Sequence, residues 1–157
     1  MTLIELVTVV AMLIILTGAA FPLFNATIAQ SRLNGAVQRV GNDLRNVRSL
    51  AVSQGGFYRL HSGDDGGVQP GQYRLERSPT GLAPWTSVTP WYAVATDFRG
   101  AAIASIRDAA NTALLEVSFN ASGASANAGP FPISIAVTTP VGTKSIQVMR
   151  AGNIVVP

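Results

Sequence analysis

The sequence predicts an α+β protein: a long N-terminal α-helix, half apolar and half amphipathic, packed on an antiparallel β-sheet head. Three observations carry this. Glu5 is the only charge in the first 31 residues. Leu33, Val37, Val40, Leu44, Val47 and Ala51 then step by four and three, the spacing of one helix face. From Phe57 onward that spacing gives way to short β-rich runs separated by Gly, Pro and Asn.

The apolar run from Leu6 to Leu16 opens a stretch without charge that reaches Ser31. About 20 apolar residues cross a bilayer core. A secretory signal would place Lys or Arg before the run and small residues after it, and neither Lys nor Arg precedes this one. The segment therefore reads as a retained anchor, residues 1–30 being an apolar transmembrane or filament-core helix. Glu5 is its anomaly, because a carboxylate in hydrocarbon needs a partner or an exit to the headgroups. It also suits a helix N-terminus, where the macrodipole favours negative charge.

Residues 31–56 continue as the amphipathic half of the same helix, with Arg32, Arg39, Asp43, Arg45 and Arg48 off the apolar stripe and Gly55-Gly56 as the stop signal. Gly18 and Pro22 mark a helix break: proline at 22 removes the donor that would reach the carbonyl of Gly18. Residues 57–157 form the β head. Strands are expected at 57–61, 73–77, 91–98, 114–119, 133–138, 145–149 and 154–156, with a hairpin turn at Pro140-Val141-Gly142-Thr143. Residues 62–67, 79–90 and 120–130 read as loops. The sheet must cover its apolar face, and the 33–51 stripe is the available cover.

Composition narrows function by exclusion. The 157 residues are 48% hydrophobic and 12% charged, with mean hydropathy +0.32 and no cysteine. Disulfides and thiolate metal sites are therefore impossible. His61 is the only histidine, no nucleophile elbow accompanies it, and it reads as a solvated imidazole at a strand end. Asp64 and Asp65 are weak metal candidates in a Gly-rich turn without the alternating ligands of a calcium loop. Trp85, Trp91 and Tyr92 read as core packing before ligand stacking. The net charge of +3 comes as single residues, so nucleic acid is a possible ligand that the charge pattern does not support. An enzyme is the least supported class, and no cofactor is expected.

Met1-Thr2-Leu3-Ile4-Glu5-Leu6, the apolar run and Pro22 together resemble the mature N-terminus of the type IV pilin and type II secretion pseudopilin superfamily. The closing segments, Val117 to Gly123, Phe131 to Val137, Ile146 to Val148 and Arg150 to Val156, are more faintly similar to the GspH/FimT subgroup. The resemblance implies a type IV pilin-like fold and a structural subunit of a pilus-like or pseudopilus filament that polymerises through its N-terminal helix. The alternative it implies is a minor GspH/FimT-type pseudopilin of type II secretion or DNA uptake. DNA-uptake members carry a Gly-Arg pair near the closing strand, where this chain has Gly152-Asn153.

By the same resemblance, Met1 is the processed and N-methylated residue, preceded in the gene by a short basic leader ending in Gly. Met1 and Glu5 pair between subunits, and Leu3, Ile4, Leu6, Val10, Leu13 and Ile14 pack the filament core. The implied partners are copies of the chain in a helical filament, the inner membrane before assembly, a prepilin peptidase and an assembly machine. The implied location is a single-pass inner-membrane protein that becomes a periplasmic or cell-surface filament.

Overall fold

The computed structural model describes residues 2–63 and 71–157, and for residues 18–24 the backbone alone. Its first element is α1 (Leu3–Gln54), 52 residues, or about 78 Å at 1.5 Å per residue. Thr2 caps it, Gly55 ends it in the left-handed conformation, and the Gly55 amide returns to the carbonyl of Ala51. The predicted stripe is the buried face: Leu33, Val37, Val40, Leu44, Val47 and Ala51 are all closed to solvent.

The head contains two five-stranded antiparallel sheets rather than one. The first holds β1 (Phe57–Ser62), β2 (Gln72–Ser78), β3 (Thr86–Ser87), β4 (Tyr92–Ala93) and β7 (Glu116–Phe119), in the order β3-β2-β1-β7 with β4 also on β2. The second holds β5 (Ala102–Arg107), β6 (Ala113–Leu114), β8 (Ile133–Thr139), β9 (Gly142–Val148) and β10 (Ile154–Val155), in the order β10-β9-β8-β5-β6. Both lay apolar residues against α1. Leu60, Leu75, Val117 and Phe119 come from the first, and Ile103, Ile133, Ile135, Val137, Ile146 and Val148 from the second.

Further expectations need correction, among them the single strand at 114–119, which is split between β6 of the second sheet and β7 of the first. The segment expected as a strand at 91–98 is only the two-residue β4 followed by a 3-10 turn, Val94–Thr96, which tucks Val94 into the core. Strand β5 was not expected. A bulge between Ile103 and Ser105 shifts its phase, so Ile103 and Ile106 both face inward at a spacing that no regular strand allows. Trp85 and Trp91 lie outside the core, half-buried on the opposite face of the first sheet, whereas Tyr92 does pack against the core. The β8–β9 hairpin forms where expected but with a tighter turn, Thr139 pairing with Gly142 around Pro140-Val141 and Gly142 and Thr143 already belonging to β9.

Candidate assembly surface

The N-terminal half of α1 is built differently from the half beneath the sheets. Leu3, Ile4, Leu6, Val7, Val10, Leu13 and Ile14 all lie at the surface, and they point in every direction around the helix. Leu3 is 83% exposed and even Val10 is 47% exposed. The hydroxyls of Thr8 and Thr17 donate to the carbonyls of Ile4 and Leu13, at 2.7 and 2.6 Å. Those polar groups are satisfied within the helix and leave the apolar surface unbroken. Among the described residues no helix is long and apolar enough to cross a membrane.

Glu5 sits at the tip of this surface. Its Oε2 accepts the Thr2 amide at 2.8 Å, and the Thr2 hydroxyl accepts the Glu5 amide at 3.4 Å, a reciprocal capping box. Two orphan donors of the first turn are thereby satisfied. The carboxylate is held toward the chain terminus instead of ranging over the helix side. Met1, Asp64 and Asp65 lie outside the described residues, as do the side-chain surroundings of Gly18 and Pro22.

The head carries a second polar constellation that the sequence analysis missed. Arg59 and His61 alternate with Tyr58 and Leu60 on β1, and Arg74 and Glu76 alternate with Tyr73 and Leu75 on β2. The register sets Arg59 opposite Glu76 and His61 opposite Arg74 on the face away from α1. Glu76 is 1% exposed, held by Arg59 at 2.5 Å and Arg74 at 2.5 Å, while Glu116 also pairs with Arg59. Trp85 covers the Arg59 guanidinium at 4.0 Å and Trp91 covers that of Arg74 at 4.4 Å. The tryptophans thus shield a balanced cluster of charges from water. The available signal was the charge alternating at period two on both strands.

His61 belongs to this covered face rather than to a solvated strand end. Its ring lies 6.0 Å from that of Trp91, and its Nδ1 is buried without a hydrogen-bond partner. Burial holds its pKa below the ordinary value. Among the described residues no group of three or more His, Asp or Glu side chains is placed to hold a metal ion.

No protein-family model and no curated protein matches the chain. Solved structures do. The type IV minor pilin FimU of Pseudomonas aeruginosa is 18% identical with a TM-score of 0.57, over 82% of this chain and 90% of that one. The minor pseudopilin EpsH from the type 2 secretion system of Vibrio cholerae is 10% identical with a TM-score of 0.57, over 80% of this chain and 96% of that one. At these identities the likeness is one of fold: the chain has the α+β fold of type IV pilins and pseudopilins.

Proposed function

We propose that the chain is a pilin, a structural subunit of a type IV pilus-like or pseudopilus filament, and within that class a minor subunit. One observation carries the reading: Leu3 to Leu16 expose an all-round apolar surface with a single carboxylate at its tip. Each such side chain gains about 1.5–3 kcal/mol on leaving water, so the segment must lie in lipid or among its own kind. FimU and EpsH, whose fold it shares, are a minor pilin and a minor pseudopilin.

Before assembly the apolar half of α1 anchors the chain in the inner membrane, with the head on the far side. Transfer into a bundle of identical helices exchanges one apolar surround for another and re-exposes little area to water. Glu5, already turned toward the terminus by Thr2, meets the Met1 α-amine of a neighbour, which stays cationic when methylated. Such a buried pair fixes register more than it adds stability. Gly18 and Pro22 let the helix open where the missing donor leaves a carbonyl unpaired.

Two measurements test this. Intact-mass analysis of sheared filaments and of membranes should find a chain beginning at N-methyl-Met1, scarce relative to a main subunit; a formylated or unmethylated Met1 would remove the processing step. Glu5→Ala should still insert in membranes yet drop out of sheared filaments by at least about tenfold, the loss of a buried charge partner. Normal incorporation of that variant would overturn the role given to Glu5.

A further inference from the structure

Helix α1 stops one row short of the end of the first sheet. Tyr58, Arg77 and Thr86 stand in register across β1, β2 and β3. The helix ends at Gln54, whose Oε1 accepts the Tyr58 hydroxyl, and Gly55 turns the chain, so that Tyr58 is buried whereas Arg77 and Thr86 of the same row are exposed. Two adjoining cavities of about 320 and 290 Å³ share Gln54, Tyr58, Arg77 and Thr86 as their lining and form one groove.

Among the described residues Arg77 is the only charge lining the groove. It is exposed, and among the described residues it has no hydrogen-bond or ion-pair partner. The described acids are occupied within the chain. Glu5 caps α1, Asp43 holds Arg39 and Tyr73, Glu76 and Glu116 hold arginines, Asp97 takes the Tyr92 hydroxyl and Asp108 the Thr112 amide.

The groove also runs along a free strand edge. The Val88 amide donates to the carbonyl of Leu75 at 2.7 Å, which makes Ser87–Glu76 a non-hydrogen-bonded pair. The N–H and C=O of Ser87 therefore point away from β2, and among the described residues no further strand lies beyond β3. A residue added opposite Thr86 would carry its side chain on the Arg77 side. Strands lie about 4.8 Å apart, so that side chain and the long arm of Arg77 would have two strand spacings to bridge.

We propose that this groove docks an extended polypeptide segment bearing a carboxylate side chain. The segment adds to β3 through Ser87 and sets its carboxylate on the Arg77 guanidinium, strand addition supplying the affinity and the ion pair the choice of sequence. The site lies at the opposite end of α1 from Glu5, so it stands or falls separately from the filament reading.

The test uses the full chain in uncharged detergent micelles and labelled acetyl-Thr-Val-Glu-Val-Thr-amide, followed by fluorescence anisotropy up to millimolar peptide. The Glu peptide should bind about tenfold more tightly than its Gln analogue, as expected for a charge-assisted pair. Arg77→Gln should erase that difference, and N-methylation of the peptide's Glu amide and its neighbours should abolish binding. No binding at millimolar peptide overturns the proposal, as does binding that Arg77→Gln leaves unchanged. An equal loss in the control Arg32→Gln would mean unspecific charge attraction and would overturn it as well. Unchanged far-UV circular dichroism of each variant separates lost binding from lost fold.

Discussion

Glu76 illustrates how one buried charge commits its neighbours. Its carboxylate spans Arg59 and Arg74, and both guanidinium planes lie beneath tryptophans. Removing the charge leaves Arg74 without its counter-ion and Arg59 with Glu116 alone, the costly way to break such a pair. Glu76→Gln is expected to lower unfolding free energy by about 3 kcal/mol, read by urea denaturation, while Glu116→Gln, a third exposed, should cost no more than about 1 kcal/mol. His61, on the same face, responds to pH. Its folded pKa lies below the ordinary 6.5, because burial disfavours the imidazolium. The unfolded chain takes up the proton first as pH falls. The stability His61 contributes is therefore complete above about 6.5 and declines as pH drops toward the folded value. A thermal melting series should show that decline, and His61→Gln should flatten it.

Among the elements, α1 was legible because its stripe keeps one period from Leu33 to Ala51 and is stopped by a glycine that adopts the left-handed conformation. Strands β8 and β9 were legible for the parallel reason, clean alternation around a Pro-Val turn. Strand β5 was not, since Ala102 and Ala104 favour no strand and the bulge breaks its alternation. Trp85 and Trp91 misled because size alone suggested the core, whereas an arginine beneath each ring gives it another place to lie. Close approach between elements leaves little trace in sequence either. The turn before β10 meets the one after β7 so tightly that a Cβ on Gly152 would sit 1.8 Å from the Gly123 carbonyl oxygen, and Gly152 has φ +81°. That same oxygen accepts Arg48 Nε at 2.9 Å, tying both turns to α1. Gly152→Ala should cost at least about 2 kcal/mol. Gly41→Ala, whose one close contact is the Val156 Cγ2 methyl at 2.7 Å, a side-chain end rather than backbone, should cost about 1 kcal/mol or less. Denaturant midpoints of the two variants compare them directly.

At the scale of the whole molecule, α1 is one helix with two surroundings. Its buried face begins at Leu33, and the residues from Leu3 to Leu16 touch none of the core that holds the head together. Folding of the head and covering of the N-terminal half are therefore separate demands on the chain, the first met by the two sheets and the second, on the proposed reading, by lipid or other helices. A fragment of residues 30–157 keeps every core residue and loses the exposed apolar run. It is expected to fold cooperatively and to sediment as a monomer without detergent, whereas the full chain should need a micelle. If the fragment instead associates through its head, part of the self-association assigned to the helix resides in the sheets. If it fails to fold, the apolar half of α1 supports the head in a way that the burial pattern does not reveal. A monomeric, cooperatively melting fragment would confine the drive for assembly to the segment that carries Glu5.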